Sequence, residues 1–127
     1  PDIILVEGQS AISHPAFISS LGILKGSMPD GIILQHPPAR KFRCDFPRLA
    51  MPSAESEIKL IETIAKTKVV AITLSHEDMD DNGILKVIED YEKRLQLPTT
   101  DVLNYGCQKL VQALRKNFPK LKHKITQ

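Results

Sequence analysis

Four clusters along the sequence carry side chains able to do chemistry. The first is Glu7-Gly8-Gln9-Ser10, directly after the apolar run Ile3 to Val6. An acid in such a place can hold Mg²⁺ through water or act as a general base. It can equally well bond the amides of the next turn. Gly8 permits close backbone approach to a ligand, or simply a positive φ. The second cluster, Ser13-His14-Pro15, reads as a helix start, where exposed amides and the dipole favour an anion. His14 there can donate to a phosphate or carboxylate, exchange a proton, or serve as a structural cap. The third runs from His36 through Arg40, Lys41 and Arg43 to Arg48, with Asp45 as its one acid. Guanidinium groups grip phosphate or carboxylate in a forked geometry. The fourth is Ser75-His76, after a third apolar run. No pair of histidines or cysteines shows zinc-ligand spacing, and no Gly-x-x-x-x-Gly-Lys-Ser/Thr loop occurs in these residues.

These clusters share a position. Each of three follows a continuous apolar β-type run: Ile3 to Val6, Gly31 to Gln35 and Val69 to Leu74, with a weaker fourth at Asp101 to Leu103. Runs that do not alternate with polar residues suit a parallel sheet buried on both faces. Helical patterns separate them. The spacing predicts helices over about 15–25, capped by Ser13 with Phe17, Leu21 and Leu24 inward, and about 54–66, capped by Ser53. Two more are expected over about 81–95, capped by Asp80 or Asp81, and about 106–118. The alternation implies an α/β layer fold with right-handed crossovers. Ligands of such sheets bind beyond the carboxyl ends of the strands, which selects the clusters above. The stretch from His36 to Pro52, with its four prolines, is expected to be one long functional loop.

Composition narrows the class. The chain has 127 residues, 42% of them apolar and 25% charged, which suits one soluble domain or a piece of one. No run approaches the roughly 18 apolar residues of a membrane span. Cys44 and Cys107 are too few for a disulfide scaffold, so a cytoplasmic location is expected. The formal charge of +2 is unevenly spread. Residues 1–101 hold 11 Lys/Arg against all 15 Asp/Glu, whereas residues 102–127 hold six bases and no acid. This basic C-terminal tail, 115–127, is read as solvated; with Phe118 as its sole aromatic, it makes no case for nucleic acid. The chain starts at Pro1 and is apolar by Ile3, so more of the domain is expected upstream.

Taken together, Val6-Glu7-Gly8-Gln9-Ser10 and Ser13-His14-Pro15-Ala16-Phe17 resemble the Glu-Gly-Gln-Gly-Ser-x-x-His-Pro-Ala segment of a P-loop-fold family of conserved proteins of unknown function. That family includes D-glutamate N-acetyltransferases of the DgcN type. The resemblance continues through Gly22, Gly26-Ser27, Pro29-Asp30, His36-x-Pro-x-Arg40, Phe46-Pro47, Met51-Pro52-Ser53, Leu97-Pro98-x-Thr100-Asp101 and Gly106. Ser10 stands where a second Gly is expected, Ser75 where Asn is, and Val102 where Pro is.

The resemblance implies an α/β fold, a three-layer parallel sheet of P-loop NTPase type. Residues 1–127 would be its distal part, about four strands and four helices, without the Walker A segment or the N-terminal domain. It implies catalytic roles for Glu7 and His14, with Glu7 also near Mg²⁺. Gly8, Gln9, Ser10, Ser13, His36, Arg40 and Arg43 would hold the cofactor, either acetyl-CoA or ATP with Mg²⁺. The implied activity is acetylation of D-glutamate or a similar amino acid, with the distal part inactive by itself. The alternatives are an ATP-dependent ligase or nucleotidase of dethiobiotin synthetase type, and a non-catalytic ligand-sensing module. A small-molecule substrate and a homo-oligomer are expected, with neither nucleic acid nor membrane as partner.

Overall fold

The computed structural model describes residues 2–123; Pro1 and the end of the basic tail, residues 124–127 with Lys124, lie outside the described residues. In chain order the elements are α1 (Ser19–Ser27), β1 (Ile32–His36), β2 (Phe42–Arg43), β3 (Phe46–Ala50), α2 (Ala54–Ala65), β4 (Val69–Leu74), α3 (Asp81–Leu95), β5 (Thr99–Thr100), α4 (Val102–Tyr105) and α5 (Gln108–Asn117), with a 3₁₀ turn at Pro119–His123. They form two compact units, each discontinuous in sequence: Pro1–Gly31 with Phe42–Lys68, and Ile32–Lys41 with Val69–Gln127.

The second unit is built on a parallel sheet in the order β1-β4-β5. Val69, Val70, Ala71, Ile72, Thr73 and Leu74 are all buried, as a run rich in β-branched residues at the centre of a parallel sheet should be. Each large apolar side chain so buried contributes about 1.5–3 kcal/mol. Leu34 lies opposite Ile72 on one side, and Thr99 opposite Ile72 on the other. Helix α3 presents Ile84, Ile88 and Tyr91 as its buried face, and α5 packs on β4 and β5. The Asp80 carboxylate starts α3 by accepting the Gly83 N–H at 2.7 Å.

In the first unit, Ser53 caps α2, and Ala54, Glu57 and Ile61 make its buried face. The stretch expected as one long loop contains an antiparallel hairpin, β2–β3, turned at Cys44 and Asp45. Asp45 takes φ 63°, a left-handed position that Asp tolerates. Pro47 is accommodated because this ribbon has only two strands.

Three further expectations are corrected. Ile3 to Val6 is not a strand: it is irregular and 46% to 86% exposed. Apolar, β-branched residues make a strand only where a neighbouring backbone accepts their N–H and C=O groups, and this run has none among the described residues. Helix α1 starts at Ser19, not near 15, and is capped by neither Ser13 nor any other side chain. The His14 N–H goes to the Ala11 carbonyl and the Ala16 N–H to the His14 ring, so the backbone before α1 is occupied by local turns. Phe17 and Leu21 are accordingly exposed. Asp101 to Leu103 is no strand either. β5 ends at Thr100, and Asp101 caps α4 by accepting the Leu103 N–H at 3.0 Å. Among the described residues no helix is long and apolar enough to cross a membrane.

Candidate functional site

In the first unit, two of the predicted residues, Ser13 and Arg43, meet an acid that the spacing did not single out, Glu57. Ser13 donates to the Glu57 carboxylate, and Arg43 donates to Ser13 Oγ from Nη2 at 2.9 Å. Glu57 is buried on α2, so the hydroxyl links a buried acid to the guanidinium of the hairpin. Arg43 Nη1 is also buried, with no hydrogen-bond partner among the described residues. His14, next to Ser13 in the chain, is 5% exposed. Its Nε2 faces the Cys44 carbonyl at 3.2 Å and its Nδ1 faces the Ala16 N–H at 3.2 Å. A carbonyl can only accept and an amide N–H can only donate, so Nε2 carries the hydrogen and Nδ1 the lone pair. Phe17 and Phe46 hold the ring, with centroids at 4.6 and 5.3 Å. His14 is thus a brace between the turn before α1 and the hairpin.

Glu7, Gly8, Gln9 and Ser10 are exposed. The Gln9 and Ser10 carbonyls both accept from Ser20 Oγ. Ser10 has φ 69°, the conformation that favours glycine, at the position where the family resemblance leads one to expect Gly. Gly8 has no positive φ, and a Cβ there would meet only Ser20 at ordinary contact distance.

His36 and Arg40 belong to the second unit. His36 is buried, and its Nδ1 lies 2.9 Å from the Tyr91 hydroxyl. Arg40 grips Glu77 in a fork, with Nε 2.9 Å from Oε2 and Nη2 on Oε1. Hydrogen bonding from Arg40 holds the Glu77 carboxyl below its usual range, outweighing the upward pull of burial, with help from the Arg40 charge and Ser75. Glu92 on α3 is balanced in the same manner. Burial pushes it up, but the Lys109 ammonium and the Thr99 N–H bring it below the usual carboxylate range.

The strand ends of this sheet also place a pair that the spacing did not single out. His76 follows β4 by two residues and Asp101 follows β5 directly. His76 Nδ1 lies 2.7 Å from Asp101 Oδ2, a close but oblique contact, not a straight hydrogen bond. The Asp101 side chain is 1% exposed and that of His76 36%. The signal was present in the rule about strand ends, but Asp101 read as part of a strand. Among the described residues no group of three or more His, Cys, Asp or Glu is placed to hold a metal ion.

A parallel sheet crossed by helices, with its polar residues at the carboxyl ends of the strands, defines an α/β protein. The family described as "Domain of unknown function (DUF1611_C) P-loop domain" matches residues 1–111, and the chain belongs to it. It is 27% identical over 116 residues to a D-glutamate N-acetyltransferase from Tritonibacter scottomollicae and 30% identical over 116 residues to one from a Pseudoalteromonas species. Each alignment covers 87% of this chain and 35% of the relative, so the chain spans about a third of the length of these curated relatives. The crystal structure of a DUF1611 family protein from Anabaena variabilis ATCC 29413 is similar at a TM-score of 0.80 and 27% identity, over 87% of this chain and 34% of that one.

Proposed function

We propose that the chain is the distal part of the P-loop domain of an acyl-transfer enzyme, one that acetylates the amine of D-glutamate or a similar amino acid. The observation that carries this reading is the likeness to two D-glutamate N-acetyltransferases across 87% of the chain. The acetyl donor of this reading is acetyl-CoA, which when bound supplies an activated acetyl thioester. Its phosphates call for convergent donors, and the first unit offers some. Arg43 retains a buried, unpartnered Nη1, and Ser13 stands beside it. Arg43 and Ser13, with the backbone of Gly8, Gln9 and Ser10, would hold the phosphates. Arg40 fits less well, since Glu77 already occupies two of its nitrogens, and His36 is turned to Tyr91. The amine attacks only when neutral, so a base must take its proton. Of the two residues expected for that role, Glu7 is exposed, whereas both ring nitrogens of His14 are engaged by backbone.

The family's P-loop character favours a second reading, an ATP-dependent ligase or nucleotidase with Mg²⁺ near Glu7. Melting the full-length protein with acetyl-CoA or with ATP and Mg²⁺ separates the two. A ligand at a hundred times its Kd stabilises by about 2.7 kcal/mol, which a melting curve resolves. Stabilisation by acetyl-CoA and formation of N-acetyl-D-glutamate support acyl transfer. Stabilisation by ATP-Mg²⁺ alone selects the ligase, and tight binding without turnover of any substrate selects a sensing module. Exposed free thiols at Cys44 and Cys107 suit a reducing cytoplasm, and the exposed apolar run Ile3 to Val6 suits pairing with a second copy.

A further inference from the structure

Three histidines have described side chains, and their surroundings differ in kind. His14 and His36 are buried, the first with both ring nitrogens on backbone and the second against Tyr91. His76 is half-exposed at the carboxyl end of the central strand, the end at which open parallel sheets receive ligands. Its Nδ1 is held 2.7 Å from a fully buried carboxylate, and its Nε2 makes no hydrogen bond among the described residues. The carboxylate is itself fixed. Asp101 is placed by β5, and its other oxygen accepts the Leu103 N–H at 3.0 Å. The strand end beneath the imidazole is fixed too, since the Ser75 N–H donates to the His36 carbonyl at 3.0 Å.

We propose that His76 is the proton acceptor of the acyl transfer and that Asp101 is its positioning residue. A carboxylate that only accepts places the ring hydrogen on Nδ1 and the lone pair on Nε2. Contacts of this kind are often oblique until substrate binds and then straighten. The amine nitrogen attacks the carbonyl carbon of an acetyl thioester, the C–N bond forms, and the C–S bond breaks to release a thiolate. The proton shed by the amine passes to His76 Nε2 and from there to the thiolate sulfur. The imidazole ends as it began. This assignment rests on the acyl-transfer reading above.

The test uses the full-length protein with acetyl-CoA and D-glutamate. His76→Gln should lower kcat by about 10²- to 10⁴-fold with KM within a few-fold of wild type, the usual weight of a general base. Added imidazole should restore part of the activity of His76→Ala. Asp101→Asn keeps a good helix cap, so it should fold with an unchanged melting temperature, yet lose kcat and not KM. The proposal is overturned if His76→Gln stays within threefold of wild type in kcat, or if imidazole rescues nothing. A wild-type protein that does not acetylate D-glutamate sinks the acyl-transfer reading, and this inference with it. Turnover by wild type with intact His76→Gln sinks only the inference.

Discussion

The hydroxyl of Tyr91 offers a test of how the second unit is held together. It lies 2.9 Å from His36 Nδ1, joining α3 to the end of β1, with both residues buried. Tyr91→Phe removes that one oxygen. The ring contact with His36, centroids 5.8 Å apart, and the Arg94 guanidinium 5.2 Å above the ring both survive. A buried neutral hydrogen bond contributes about 0.5–1.5 kcal/mol, and the imidazole nitrogen deprived of the phenol adds a desolvation cost of about 1–3 kcal/mol if nothing replaces it. Partial relaxation puts the expected loss at about 1–2 kcal/mol. For a chain of this size that is a melting shift of roughly 4–8 °C. The size of the loss should then change with pH. Burial, aided by the charge of Asp90, pushes the Tyr91 phenol above its usual value. Above pH ~10 the unfolded chain releases this proton while the folded chain keeps it, so wild-type stability falls as pH rises. Phe has no proton to release. The gap between the two proteins should therefore narrow from about pH 7 to about pH 11 in parallel melting curves. A variant that melts within a degree of wild type at neutral pH, or a gap that widens in alkali, would show that the Tyr91 hydroxyl does not hold α3 to β1.

Other outcomes follow from single contacts. Ser10→Gly relieves a left-handed residue at φ 69°; set against glycine's greater unfolded freedom, it should stabilise by about 0.5 kcal/mol in urea titration. Asp80→Ala leaves the Gly83 N–H without its carboxylate and should cost about 1 kcal/mol, read from the same titration. Arg40→Ala should change neutral-pH stability by less than about 1 kcal/mol, because both partners are well exposed. It should nevertheless raise the Glu77 titration midpoint seen by NMR, since hydrogen bonding from Arg40 is what depresses it. The small contribution of that pair is present above the usual carboxylate range and is lost as pH falls through the lowered folded value.

The elements that were legible in the sequence are those whose causes are local. Helices α2 and α3 begin where Ser53 and Asp80 cap them, and β4 has the bounds of its apolar run. The run Ile3 to Val6 has the same composition and no strand, because pairing depends on another stretch of backbone that its own residues do not encode. Asp101 shows the reverse: its short polar side chain suited a cap, yet the apolar pair Val102-Leu103 after it suggested a strand. The site was legible as a location, the carboxyl ends of strands, but not as a set of partners. Ser13 finds Glu57 across 44 residues of sequence, Arg40 finds Glu77 across 37, and spacing carries no trace of either. What nearby sequence does show at His14 is a capable imidazole; only the backbone around it reveals that both its nitrogens are spent.

The threading of the chain between its two units has a consequence for how the protein is made. The backbone passes from one unit to the other at Gly31–Ile32, again at Lys41–Phe42 and again at Lys68–Val69. During synthesis β1 therefore emerges long before β4, the strand it must lie beside, and the hairpin and α2 are made in between. Closing so long a connection carries a loop-entropy cost that local contacts do not repay until the parallel pairing forms. Until then β1 is an unpaired apolar strand on a nascent chain, the kind of segment on which aggregation and chaperone capture act. Neither unit can be released by trimming an end, so a truncation that spares every residue of one unit still severs the other.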